Sequence, residues 1–307
     1  MATRTLERSP SILPLYARAA APMVPGASLL PFVPGGGGEI PELDLRLEGV
    51  GADPAAVAEY AKVCGFALRD SLPVTYPHVL AFPLHMAVMA DGGFPFGAVG
   101  LVHVENRIEQ LRPVGTTEEL TIRVLPTPLQ PHAKGRTFSL LTEVSVGEEL
   151  VWSSTSTMLR RGKGDEGAKS GASFAALPAE TPASAEWKLG GDLGRRYAGV
   201  SGDRNPIHMH SLTAKPLGFP GAIAHGMWTK ARCLAALDSR LPDAFAVDVR
   251  FRKPILLPAR VEFASAAEGK EIAFAVRDAK RQTPHLDGRV TPLETNSNSK
   301  AKPGRKK

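Results

Sequence analysis

Two short stretches of this 307-residue chain carry residue types that could perform acid–base chemistry together. From Tyr197 to His208 it reads Tyr-Ala-Gly-Val-Ser-Gly-Asp-Arg-Asn-Pro-Ile-His, and from Ala224 to Met227 it reads Ala-His-Gly-Met. The first sets a carboxylate, Asp203, and an imidazole, His208, five positions apart around an Asn205-Pro206 step. The second sets Gly226 where a helix is about to begin. A carboxylate and an imidazole held together can activate a water and return a proton. A backbone N–H at a helix start can meet a developing oxyanion. These are the parts needed to add water across an activated double bond, or to remove it. Gly-Asp-x-Asn-Pro is also good turn chemistry, with Asp and Asn bonding nearby amides. The companion residues at matched spacing point beyond a turn to a site.

Ten positions in order, Ser201, Gly202, Asp203, Asn205, Pro206, Ile207, His208, His225, Gly226 and Met227, give the chain a family resemblance. It resembles the MaoC-like (R)-specific enoyl-CoA hydratases and 3-hydroxyacyl-thioester dehydratases. The resemblance implies an α+β hot-dog fold, an antiparallel sheet wrapped around a central helix. It implies a hydro-lyase of fatty-acid metabolism that interconverts trans-2-enoyl and (R)-3-hydroxyacyl thioesters of CoA or acyl carrier protein. Asp203, His208 and Gly226 are then the catalytic candidates, with Asn205, His225 and Met227 on the substrate side. Asn205 would orient the loop or the water, and His225 would shape the loop. No cofactor and no metal are expected, since His208, His210 and His225 match no known ligand spacing. Two alternatives stay open: a hot-dog acyl-thioesterase, and a non-catalytic acyl-binding subunit of a dehydratase complex.

Composition excludes several classes. The chain is 43% hydrophobic and 22% charged, an ordinary globular balance. No apolar run approaches the length of a membrane span, and Pro31 and Pro34 interrupt the Leu29-to-Val33 patch that could imitate a signal peptide. Two cysteines imply no disulfide framework, so a cytoplasmic setting is expected. The net charge of +6 is concentrated in Lys300, Lys302, Arg305, Lys306 and Lys307, which leaves 32 basic against 31 acidic residues elsewhere. A basic tail is not a nucleic-acid surface, so the expected partner is an acyl thioester, with neither nucleic acid nor membrane.

Periodicity supplies the elements that position these residues. Residues 1–40, rich in Pro and Gly, read as an irregular leader with one short helix near Pro14 to Ala21. Asp53-Pro54 starts a helix through Val63, and an apolar stretch from Ala81 to Ala90 follows Tyr76-Pro77. Strand patterns follow at Val99 to Ile108, Thr121 to Leu125, Thr137 to Val146 and Leu150 to Leu159. The Gly- and Pro-bearing segment 163–185 reads as a linker. Beyond it the order recurs: a helix through Tyr197, the motif loop, a helix from Gly226 to about Arg240, then strands at Phe245 to Arg252, Arg260 to Ala266, Glu271 to Arg277 and Thr283 to Leu293.

The recurrence reads as a duplication. Tyr60-Ala61-x-Val63-x-Gly65 matches Tyr197-Ala198-x-Val200-x-Gly202. Val102-x-Val104-x-x-Arg107 matches Val247-x-Val249-x-x-Arg252, with Leu111 and Pro113 against Leu256 and Pro258. In that register Phe66, Leu68 and Ser71 stand for Asp203, Asn205 and His208, and Phe82 and Pro83 stand for His225 and Gly226. The expected architecture is therefore two tandem hot dogs forming a pseudo-dimer. Residues 41–162 would be a degenerate non-catalytic copy lining an apolar acyl tunnel, 186–293 the catalytic copy, and 294–307 a basic disordered tail. The chain would act as a monomeric pseudo-dimer or as a homodimer. Arg232, Arg250, Arg252 and Lys253 are either contacts for the phosphates of a CoA or phosphopantetheine arm or solvated strand-edge charges.

Overall fold

The computed structural model describes residues 3–20, 38–98, 100–168, 171 and 174–294. The Leu29-to-Val33 patch and the basic tail lie outside them. In chain order the first half carries β1 (Arg4–Leu6), α1 (Ile12–Ala20), β2 (Leu45–Val50), α2 (Pro54–Cys64), α3 (Tyr76–Met89), β3 (Val102–Gln110), β4 (Leu120–Pro126), β5 (Gln130–His132), β6 (Gly135–Val146) and β7 (Glu149–Arg161). The second carries β8 (Ala185–Leu189), α4 (Leu193–Ser201), α5 (Pro206–Met209), α6 (Ser211–Ala214), α7 (Gly226–Leu237), β9 (Phe245–Phe251), β10 (Ala259–Glu268), β11 (Glu271–Asp278) and β12 (Pro284–Pro292).

Local chemistry sets the helix ends. Asp53 caps α2 by accepting from the Ala55 N–H at 3.0 Å, and Pro54 occupies the first helical position. Gly65 and Gly202 end α2 and α4 with φ of +84° and +75°, the left-handed conformation that a side chain would strain. α3 carries no charged residue and is buried along most of its length, so it runs as a core helix against β2, β4 and β6. No helix among the described residues is long and apolar enough to cross a membrane.

Among the described residues the strands form one sheet in the order β1-β2-β4-β6-β7-β3-β9-β12-β11-β10-β8, with β5 on β6. The β3–β9 seam joins the two halves. There Glu105 pairs with Arg250, and these two residues are equivalents in the repeat register of 102–107 on 247–252. The equivalent tyrosines Tyr60 and Tyr197 also meet each other, with ring centroids 6.1 Å apart where α2 packs on α4. Equivalent residues touching one another at two separate places define a pseudo-two-fold axis, and the fold is a double hot dog. Lys230 of α7 is fully buried beside the seam. Its Nζ donates to Asn106 O at 3.1 Å, Asn106 Oδ1 at 2.6 Å and Val247 O at 3.1 Å. Those three bonds hold the second half's central helix to strands of both halves.

The structure revises three expectations. The leader holds its expected short helix, α1, which packs on α3, but also a strand that was not expected, β1, paired in parallel with β2. Pro83 does not stand at a helix start as Gly226 does, but lies inside α3, which begins at Tyr76. Ser71 does not mirror His208, because its bridge to Gly115 is the counterpart of the Ile223–Leu256 bridge. Six positions separate Gly65 from Ser71, against twenty-one between Gly202 and Ile223. Among the described residues no element lies between α2 and α3 that corresponds to α5 and α6.

Candidate active site

The motif loop is built from its own turn chemistry. The Asn205 N–H donates to Asp203 Oδ1 at 3.1 Å, and Asn205 Oδ1 caps α5 by accepting from the Ile207 N–H at 3.4 Å. Pro206 starts that helix and turns Ile207 and His208 inward, where both are buried. Gly194 of α4 lies against the backbone of His208 so closely that a Cβ there would run into its carbonyl oxygen. The glycine is what lets α4 and α5 approach.

Hydrogen bonding fixes the tautomers. His208 Nδ1 lies 2.8 Å from Ile223 O, and a carbonyl only accepts, so Nδ1 carries the proton and Nε2 keeps its lone pair. Burial pushes the His208 pKa below 6.5, against the pull of Asp203. His225 Nε2 likewise donates to the backbone carbonyl of Asp203 at 3.0 Å, and burial drives its pKa down to about 3. The two imidazoles stack with centroids 3.6 Å apart. His225 is therefore a neutral clamp on the loop, and its 3.8 Å approach to Asp203 Oδ2 is no ion pair.

Burial works against the charge of Asp203, whose side chain keeps 29% exposure. The neighbouring imidazoles of His225 and His208, the Asn205 N–H and the Tyr16 hydroxyl outweigh that effect, and the carboxyl lies below 3.8. Tyr16 comes from α1, the short helix expected within the leader. Its hydroxyl donates to Asp203 Oδ1 at 2.9 Å and accepts from the Arg204 N–H at 2.7 Å. Nothing in the composition of residues 1–40 singles Tyr16 out.

Gly226 opens α7, so no helical carbonyl precedes its N–H. A Cβ on it would lie 3.0 Å from the Phe251 ring, a tight contact that the ring would have to yield to. Asp203, Asn205, His208, His225, Gly226 and Met227 all line one cavity of about 580 Å³. Ligand atoms of Asp203, His208 and His225 fall within 4.8 Å of one another, closer than their sequence spacing suggested. The bonds to Ile223 O and Asp203 O already occupy one nitrogen of each ring.

The first half supplies the opposite wall, and it is less apolar than expected. Beside Val79, Phe82 and Met89 it presents His78, His85 and His103. His78 and His85 lie seven positions apart, the spacing of one helix face, which is the signal that could have found them. Lys134, Arg161, Arg252 and Lys253 also line the cavity, and Arg250 stands over the Phe174 ring at 4.2 Å. Arg232 does not belong there: it stacks on Trp187 at 4.9 Å. A second cavity of about 590 Å³, beside α1 and β1, contains no residue of the motif.

The chain is similar to several known proteins. Residues 174–288 match the family model described as a MaoC-like domain. A curated relative, 3-hydroxyacyl-thioester dehydratase X of Mycobacterium tuberculosis, is 38% identical over 267 residues, covering 87% of this chain and 95% of the relative. The crystal structure of the M. tuberculosis protein HtdX superposes with a TM-score of 0.73 at 37% identity, over 81% of this chain and 100% of that one. A MaoC-like dehydratase from Phytophthora capsici shares the fold, with a TM-score of 0.69 at 21% identity over 84% of this chain and 98% of that one. With the motif gathered in one cavity and this likeness running through both halves, the chain belongs to the MaoC-like dehydratase family.

Proposed function

We propose that the protein reversibly hydrates trans-2-enoyl thioesters to (R)-3-hydroxyacyl thioesters, with the acyl group on CoA or on an acyl carrier protein. The observation that carries this reading is the free Nε2 of His208 and the ionised Asp203 facing one cavity with the Gly226 N–H. Both groups rest as proton acceptors. A water between them loses a proton to the pair as its oxygen bonds to C3. The C2=C3 electron pair moves toward the thioester, whose oxygen gains enolate charge and is met by the Gly226 N–H at the positive end of α7. The same proton returns to C2, so the pair ends as it began; dehydration runs these steps backward. Asn205 and His225 hold the Asp203 loop, Met227 packs beneath the site, and Tyr16 positions the carboxylate.

The division into a non-catalytic copy over 41–162 and a catalytic copy over 186–293, joined by 163–185, belongs to the same proposal. It gives one site per chain, whether the chain works alone or as a homodimer. The curated relative is named a 3-hydroxyacyl-thioester dehydratase, which supports the reaction class. Acid and imidazole come from one loop, so water's oxygen and proton reach one face of the double bond. The test is to hydrate crotonyl-CoA and longer enoyl-CoAs and to offer the product to an (S)-specific 3-hydroxyacyl-CoA dehydrogenase. Enoyl absorbance is expected to fall with little or no NADH formed. Stoichiometric NADH would refute the stereochemistry, and an unchanged enoyl absorbance would refute the reaction.

A further inference from the structure

Seven of the chain's eight histidines line the motif cavity, and the reaction above uses only His208 and His225. His78 and His85 on α3 and His103 on β3 form a separate cluster on the first half's wall. The His78 ring lies 5.0 Å from His85 and 6.4 Å from His103, centroid to centroid. His103 packs 5.0 Å from Phe251, the ring that also bounds Gly226, so the cluster adjoins the reaction centre. His85 Nε2 is paired with Thr142 Oγ1 at 2.8 Å. His78 Nδ1 and His103 Nε2 are buried without a hydrogen-bond partner among the described residues.

A wall that held only a hydrocarbon chain would gain nothing from three imidazoles. Buried polar atoms left unpaired are costly, and leucine would fill the space without that cost. We propose that His78, His85 and His103 form a polar subsite in the acyl cavity that holds an uncharged oxygen, a hydroxyl or a carbonyl, borne on the acyl chain beyond the reacting carbons. Both rings line the cavity, and a turn of the His78 ring about its Cβ–Cγ bond would carry its unpaired Nδ1 toward it. Burial keeps His78 at about 4 and His103 at about 3, so both rings are neutral; His78 offers one donor and one acceptor, and His103, which bonds the Glu105 backbone, keeps Nε2 as an acceptor. That valence matches a hydroxyl or a carbonyl, not a carboxylate. The inference rests on the reading of the cavity as an acyl-thioester site.

The experiment compares kcat/KM for trans-2-octenoyl-CoA with that for the same chain bearing a hydroxyl or keto group between C5 and C7. Wild-type enzyme is expected to favour at least one oxygenated chain by about tenfold or more, because the plain chain leaves the buried nitrogens unpaired. His78→Leu and His103→Leu should each erase most of that preference, by lowering kcat/KM for the oxygenated chain several-fold more than for the plain one. Equal wild-type rates across the series would overturn the subsite, as would variants that lower both rates by one factor. If a variant does not fold, the wild-type series decides alone. Hydration of no enoyl thioester at all would be the failure of the reaction itself, and the subsite would fall with it.

Discussion

Tyr16 donates its hydroxyl proton to Asp203 Oδ1 across 2.9 Å and 187 positions of chain. α1 is thereby part of the loop's support, and Ile12 of the same helix lies so near Gly202 that a Cβ there would come within 2.6 Å of it. The carboxylate is consequently aimed by a segment outside both hot-dog repeats. Tyr16→Phe removes the bond and keeps the ring. It should lower kcat by about tenfold or more, the usual size for a hydrogen bond to a charged group, with KM and thermal midpoint little changed. A purely structural role would instead lower the midpoint and leave the kcat of the folded fraction intact.

The pH profile of hydration follows from the resting protonation states. His208 and Asp203 must both be unprotonated to accept water's proton, and both have pKa values below their ordinary ones, 6.5 and 3.8. A depressed pKa keeps the accepting form present to lower pH. Hydration kcat/KM should thus be level through neutrality and fall in acid with a midpoint below 6.5. A midpoint above 6.5, or a rate that rises on acidification, would contradict the assignment.

Stability should depend on pH in the same direction. His78 titrates at about 4 and His225 at about 3 in the folded protein, against 6.5 for a free imidazole. The unfolded chain therefore binds more protons throughout the interval below 6.5. Stability is full above that value and is lost as pH falls toward the folded pKa, with a slope approaching about 1.4 kcal/mol per pH unit for each such histidine. Denaturant midpoints measured between pH 7.5 and 5 check this, and a midpoint that is constant or rises in acid would refute it.

Gly194→Ala tests the seat of His208. The new methyl would meet the His208 carbonyl, a backbone atom that cannot swing aside. Displacing the imidazole by about 1 Å should cost about a hundredfold in kcat/KM. An alanine variant with wild-type turnover would show that α4 does not fix that position.

The legible parts of this protein were those whose cause is local. Asp203, Asn205, Pro206 and His208 sit in one loop whose turn chemistry is readable in order, and Gly226 marks a helix start. The duplication was legible at Tyr60 and Tyr197 and along the seam strands. It slipped between Gly65 and Ser71, because the connection from α2 to α3 is shorter than that from α4 to α7 and offers no residue opposite the motif loop. Pro83 fell opposite the helix start at Gly226 in the repeat register, whereas tertiary burial carries α3 through it. The strands β2 and β8 carry short, weakly alternating patterns and take their order from the sheets they join. Tyr16 was beyond reach of spacing, since its partner lies 187 positions away.

The central claim is that Asp203 and His208 act as a pair on water, and Asp203→Asn addresses it with the least change of shape. The amide keeps the carbonyl oxygen that can accept from Tyr16 and from the Asn205 N–H, but it cannot take a proton. Crotonyl-CoA hydration by the folded variant, followed by loss of enoyl-thioester absorbance, should be slower than wild type by about 10²- to 10⁴-fold. A folded Asp203→Asn protein that hydrates crotonyl-CoA at close to the wild-type rate would contradict the account.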